Sequence, residues 1–224
     1  MILSVLIPTI SSRASTLSRT LWYLQNQTMS GDFEVIVHQG DTIGLGDKIN
    51  RMIAEAKGDY IVMVDDDDYL VPHYMASVLP RLQQSSMACY GYKPVQFDTP
   101  DFLGYKILAL QNGKYWLSIS HDAKNPFGNP TLNRGVCNKM PIRRSIAAKV
   151  PFGNDYTDDW PWSGAVHALV ETSEFIDDHL YVYDWWPDSM AFRDYSTVWQ
   201  PHEEFSPQRD IGEWPFDPER VRWL

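Results

Sequence analysis

The first 85 residues alternate short apolar runs with apolar stripes of helical spacing, and that alternation leaves few folds open. Ile2 to Ile7 is an apolar run closed by Pro8. Leu17, Leu21 and Leu24 follow at spacings of four and three, which places them on one face of a helix. Phe33 to Val37 reads as a second strand, and Ile49, Met52, Ile53 and Ala56 as a second helical stripe with Gly58 as its stop. Tyr60 to Val64 is a third strand. Pro72 suits the first position of a third helix, which turns Met75, Val78, Leu79 and Leu82 inward. Strand followed by helix, three times over, predicts an α/β domain with a mostly parallel central sheet flanked by helices.

The remainder is less regular. Met87 to Tyr92 and Lys114 to Ile119 read as strands, and residues 121–135, with Pro126, Gly128, Pro130 and Gly135, as a loop. A helix is expected from Trp160–Pro161, with Trp162, Val166, Leu169 and Val170 inward, and a further strand from Phe175 to Tyr183. The last 26 residues (199–224) hold four prolines without a clear period.

Composition narrows the function classes. Nineteen basic against 29 acidic side chains give a net charge of −10, which opposes tight non-specific binding to nucleic acid. Two cysteines, Cys89 and Cys137, are too few for a disulfide framework. No stretch approaches the roughly 18 apolar residues of a membrane span, and no secretory leader is evident, so a cytoplasmic protein is expected.

The strongest chemical signal is Asp65-Asp66-Asp67-Asp68, directly after the apolar strand Ile61-Val62-Met63-Val64. Ligands of open parallel sheets bind beyond the carboxyl ends of the strands. Four adjacent carboxylates repel one another, so a compact site requires a cation or partial protonation. Oxygen donors of this kind suit Mg²⁺ or Mn²⁺ shared with substrate phosphates. An EF-hand does not fit, because Leu70 and Ala76 stand where that loop needs Gly and Glu.

Ser4-Val5-Leu6-Ile7-Pro8-Thr9, Gly58-Asp59-Tyr60-Ile61 and the Asp run together resemble the N-terminal half of a family 2 glycosyltransferase with the GT-A fold. Looser likeness continues through Asn50, Asn138 to Arg144, Thr157-Asp158-Asp159-Trp160 and Tyr181-Val182-Tyr183. The resemblance implies one GT-A domain over residues 1–195, with a nucleotide-sugar and metal half (1–85), a smaller acceptor half (86–195) and a C-terminal extension (196–224). It implies a metal-dependent, inverting transfer of a sugar from a nucleotide-sugar, with a UDP-sugar as the expected donor, to a hydroxyl acceptor. By the same resemblance Asp67 is the main metal ligand, assisted by Asp65, and Asp65 and Asp66 also hold the nucleotide. Pro8 and Thr9 border the nucleotide. Either His38 or Asp41 stands where the family carries its base-contacting Asp, and Lys48 stands in for the Arg that usually precedes Asn50. Asp159 is the implied general base; an Asp at that place also suits a helix cap.

Trp185 and Trp186, in an expected loop, offer flat apolar faces to an acceptor sugar. A third metal ligand among His167, His179 and His202 is left unassigned. The acceptor expected from the family is a glycan or polysaccharide intermediate. A hydroxymethylated base of phage DNA is a second class, with Arg134, Lys139, Arg143, Arg144 and Lys149 as phosphate contacts and the net charge against it. The rival readings are a nucleotidyltransferase, and a carbohydrate-binding module that needs neither nucleotide nor metal.

Overall fold

The computed structural model describes residues 1–83, 86–90, 93–97, 99–111, 114–121, 133–134, 136–155, 159–185 and 214–224. The strands are β1 (Leu3–Thr9), β2 (Phe33–Gln39), β3 (Tyr60–Met63), β4 (Tyr69–Leu70), β5 (Ser86–Tyr90) and β6 (Lys93–Phe97). They continue as β7 (Phe102–Gln111), β8 (Lys114–His121), β9 (Asn133–Arg134), β10 (Ile142–Arg143), β11 (Ser173–Trp185) and β12 (Arg222–Trp223). The helices are α1 (Ala14–Gln25), α2 (Leu45–Glu55), α3 (Tyr74–Gln83), α4 (Arg144–Ala147) and α5 (Asp159–His167).

Among the described residues the main sheet runs β12-β2-β1-β3-β10-β7-β11-β4. β1 lies parallel between β2 and β3, and β11 runs parallel to β7. The two-residue β10 joins these halves by pairing antiparallel to both β3 and β7. β1, β2, β3, β7 and β11 therefore all point the same way, and their carboxyl ends share one edge. The α/β class expected from the sequence holds.

β1 is buried along its whole length, as a strand covered on both faces must be. α1 seals one side with Leu17, Leu21 and Leu24; α2 contributes Ile49, Met52 and Ile53; α3 contributes Met75, Val78, Leu79 and Leu82. Each such side chain contributes about 1.5–3 kcal/mol of burial.

Several local expectations are corrected. β1 does not stop at Pro8 but continues to Thr9, with Pro8 in register with His38. Pro8 has no N–H to give, yet its place near the strand end lets the pairing run on. Gly58 is not a helical stop, since α2 ends on Ala56 in extended geometry. A Cβ at Gly58 would lie 2.5 Å from the Ser4 backbone nitrogen, so glycine is required there for close approach to β1. Pro72 precedes α3 by two residues, and Pro80 lies within that helix. Phe102–Gln111, a central strand, carried no clear alternation in sequence because its first half is buried on both faces. At the opposite edge β12 pairs parallel with β2, so the chain's last residues complete the sheet.

Candidate active site

The Asp run leaves the end of β3, turns on a hydrogen bond from Asp68 N to Asp65 O (3.1 Å), and enters β4, which pairs with β11 at Tyr181 and Val182. The four carboxylates thus bridge the carboxyl ends of the two halves of the sheet, and their burial alternates. Asp66 and Asp68 are buried, while Asp65 and Asp67 keep part of their surface open.

The inner pair is fixed by hydrogen bonds. Asp68 accepts from the Tyr181 hydroxyl (2.5 Å) and from the Asp184 backbone N–H (2.8 Å). Burial pushes its carboxyl well above the usual range, reinforced by Asp67 and Asp65. Asp66 accepts from the Thr9 hydroxyl (2.7 Å) and from Arg13 Nη1 (2.7 Å). Burial raises its carboxyl too, against the pull of Arg13 and Thr9.

The outer pair faces cations. Lys139 Nζ pairs with Asp65, and Arg13 Nη1 lies 3.4 Å from Asp67 Oδ2. Burial and the neighbouring Asp65 push the Asp67 carboxyl up to about 6, despite Arg13. For Lys139, burial alone would lower the amine, but Asp65 and Asp68 hold it above its ordinary value. The run therefore meets its repulsion in both expected ways, with cations and with raised proton affinity.

One carboxylate oxygen each from Asp65, Asp67 and Asp68 lies within 4.8 Å of the others, close enough to share one ion. Among the described residues no histidine joins this group. His167 and His179 stand apart from it, and His202 lies outside the described residues. The hard oxygen set fits Mg²⁺ or Mn²⁺. Asp68 already accepts two hydrogen bonds, whereas Asp65 and Asp67 keep part of their surface open.

Comparison with known proteins now decides the family. The profile described as Glycosyl transferase family 2 matches residues 23–150, more than half of the chain and including the Asp run. The chain belongs to glycosyl transferase family 2.

A search of curated protein sequences finds no significant match. Crystal structures of S. aureus TarS 1–349, alone and in complex with UDP, superpose with a TM-score of 0.62 at 16% identity, covering 82% of this chain and 60% of TarS 1–349. The complex of the same fragment with UDP-GlcNAc gives the same TM-score and identity over 58% of its chain. The chain thus spans about 60% of the length of these relatives. The likeness shows the fold, and the GT-A architecture expected from the family 2 resemblance is borne out.

Thr9 ends β1 and holds Asp66, and its carbonyl accepts from the buried Lys48 Nζ at 2.8 Å. Burial lowers the Lys48 amine, with Asp66 and Asp41 opposing. Asp41 accepts from both the backbone N–H and the hydroxyl of Ser11 (2.7 Å each), which ties the loop after β2 to the loop after β1. His38 is buried at the end of β2, and neither ring nitrogen has a hydrogen-bond partner among the described residues. Burial lowers its pKa, helped by Arg51 and Lys48, so the ring is neutral near pH 7. Asp159 is the first residue of α5, half-buried; Asp158 lies outside the described residues. Trp185 ends β11 in register with Gln111, while Trp186 lies outside the described residues.

Sequence reasoning missed the cations and the far wall of the site. Arg13 and Arg19 sit on a turn and helix with no motif around them. Arg19 is buried: it donates to the Asp67 carbonyl (2.5 Å), pairs with Asp184 (2.7 Å), and lies 5.0 Å from the centroid of the Tyr69 ring. Lys139, one of the five expected phosphate contacts, faces Asp65 instead. Of the same stretch, Arg143 binds Asp101 and Thr99, and Arg144 donates to the Gly58 carbonyl.

Asn50 has a role the sequence did not disclose. Its amide donates to the Phe152 carbonyl and accepts from the Phe152 N–H, both at 2.8 Å. Asp47 and Asn154 bond reciprocally nearby, at 3.2 and 3.1 Å. A Cβ on Gly46 would lie 2.0 Å from the Gly153 carbonyl oxygen, so α2 packs directly on this backbone. The segment leading toward Asp159 is therefore clamped to α2.

Proposed function

We propose that the protein transfers a sugar from a nucleotide-sugar, with a UDP-sugar as donor, to a hydroxyl acceptor, using a divalent metal and inverting the anomeric centre. The observation that carries this reading is the partly open Asp65–Asp67 pair at the shared carboxyl edge of the sheet, in a chain of family 2. The TarS structures in complex with UDP and UDP-GlcNAc support the donor class.

Asp67 and Asp65 would hold Mg²⁺ or Mn²⁺, and the ion would supply charge neutralisation for the departing diphosphate. Asp66, set by Thr9 and Arg13, would keep the adjoining backbone in place and border the nucleotide. Pro8 and Thr9 would flank the nucleoside, with His38 and Asp41 near the base and Lys48 supplying positive charge beneath the loop. Asp159 would take the acceptor proton as the acceptor oxygen attacks the anomeric carbon from the face opposite the leaving group. Its carboxylate sits in the first turn of α5. Trp185 and Trp186 would receive the acceptor, for which a glycan is the class favoured here. With Lys139, Arg143 and Arg144 engaged inside the protein, a DNA acceptor has less to bind to.

The test is turnover with UDP-sugars and Mn²⁺, with NMR assignment of the product's anomeric configuration. Asp159→Asn should cut the rate by about 10²–10⁴ while leaving donor and metal binding intact. Asp158→Asn, run alongside, should do less. Near-normal turnover by Asp159→Asn would remove it as the base, and a product retaining the donor configuration would exclude a single displacement.

A further inference from the structure

Arg13 and Arg19 are six residues apart and both reach the Asp run, but they are held differently. Arg19 is nearly enclosed, with 9% of its side chain exposed, and spreads its contacts over Asp184, the Asp67 carbonyl and the Tyr69 ring. Arg13 keeps 35% of its side chain exposed. It contacts Asp66 and Asp67 through one nitrogen, Nη1, at 2.7 and 3.4 Å. Its Nη2 and Nε make no hydrogen bond among the described residues, so those donors are uncommitted. A guanidinium fork with spare N–H groups matches phosphate oxygens well.

The charge arrangement gives this geometry a consequence. Lys139 stands on Asp65, Arg19 on Asp184, and Arg13 on Asp66 and Asp67. A divalent cation approaching Asp67 meets the guanidinium already there, and the two repel at close range. A diphosphate arriving with the cation offers the same guanidinium another anion.

Resting on the metal and nucleotide reading above, we propose that Arg13 is an exchangeable counter-ion. It stays anchored on Asp66, yields Asp67 to the divalent cation, and turns its remaining N–H groups to the donor diphosphate. Arg13 thereby makes cation and nucleotide bind together and disfavours either alone. The short 3-10 turn Ser11–Arg13, pinned to Asp41 through Ser11, gives the swing a fixed pivot.

The experiment is calorimetry of the full chain with Mn²⁺ alone, UDP alone, and UDP at saturating Mn²⁺, for wild type, Arg13→Gln and Arg13→Lys. Wild type should show coupling of roughly tenfold or more between the two ligands. Arg13→Gln should bind Mn²⁺ alone more tightly by roughly tenfold, bind UDP with Mn²⁺ more weakly, and lose most of the coupling. Arg13→Lys keeps the charge but lacks the fork, and should fall between the two. Thermal melts of all three exclude misfolding as the cause. Unchanged Mn²⁺ affinity and intact coupling in Arg13→Gln would overturn the proposal and leave Arg13 a structural ion pair. Absence of any Mn²⁺ or UDP binding by wild type would instead overturn the functional reading on which it rests.

Discussion

Asp66 and Asp68 differ from Asp65 and Asp67 only by one residue of register, yet the two pairs live in different chemical worlds. The inner pair faces the core and collects hydrogen bonds from Thr9, Arg13, Tyr181 and the Asp184 N–H. The outer pair is part-open, and its carboxylates are opposed by Arg13 and Lys139. Four identical letters are thus two enclosed residues and two part-open ones. Asp66 ties the run to β1 and the turn after it, and Asp68 ties it to β11. The same contrast separates Arg19 from Arg13.

The largest effect that would test this division is on Asp67. Asp67→Asn should lower transfer by about 10³-fold, equivalent to about 4 kcal/mol of transition-state stabilisation. Its melting temperature should hold or rise slightly, because one of several repelling carboxylates is gone. Unfolding of this variant would place Asp67 with the inner pair.

Asp68→Ala should do the reverse. It strands the buried Tyr181 hydroxyl and the Asp184 N–H, at a cost of about 3 kcal/mol. For a chain of this size that lowers Tm by roughly 6–12 °C, measurable by calorimetry. UDP and Mn²⁺ binding at low temperature should survive. A variant as stable as wild type would erase the distinction between the pairs.

A smaller effect is pH-dependent. Asp67 titrates at about 6 in the folded chain, against about 4 for an ordinary carboxyl. The folded state therefore binds this proton more tightly than the unfolded state. Its contribution is full below about pH 4 and is lost as pH rises through about 6, amounting to about 3 kcal/mol. Urea denaturation in metal-free buffer should show wild type losing stability relative to Asp67→Asn over that window. Mn²⁺ affinity should move oppositely, strengthening as Asp67 deprotonates. A constant stability difference between the two proteins from pH 4 to 7 would contradict the raised proton affinity.

How much of this was legible beforehand follows the range of the forces involved. Helical and strand periods in the first 85 residues are local, so α1, α2, β1 to β3 and the parallel order could be read from spacing. The Asp run stood out because an apolar strand leads straight into it. Family 2 membership was legible in Ser4 to Thr9, Gly58 to Ile61 and Asp65 to Asp68. Phe102–Gln111 was not legible, because a strand covered on both sides gives neither alternation nor helical period. Asn50 was noticed for its likeness to the family, but its grip on Phe152 spans 102 residues and leaves no mark in spacing.

The sequence by itself determined the fold class, the place of the acidic site and its residue chemistry, since each depends on neighbours in the chain. Only the tertiary structure decided which carboxylates are enclosed and which stay part-open. That choice is made by Thr9, Arg13, Lys139, Tyr181 and Asp184, which come to the run from β1, the turn after it, the approach to β10, and β11. Their distance in sequence hides them, and electrostatics at a few ångströms in a low-dielectric junction gives each its effect.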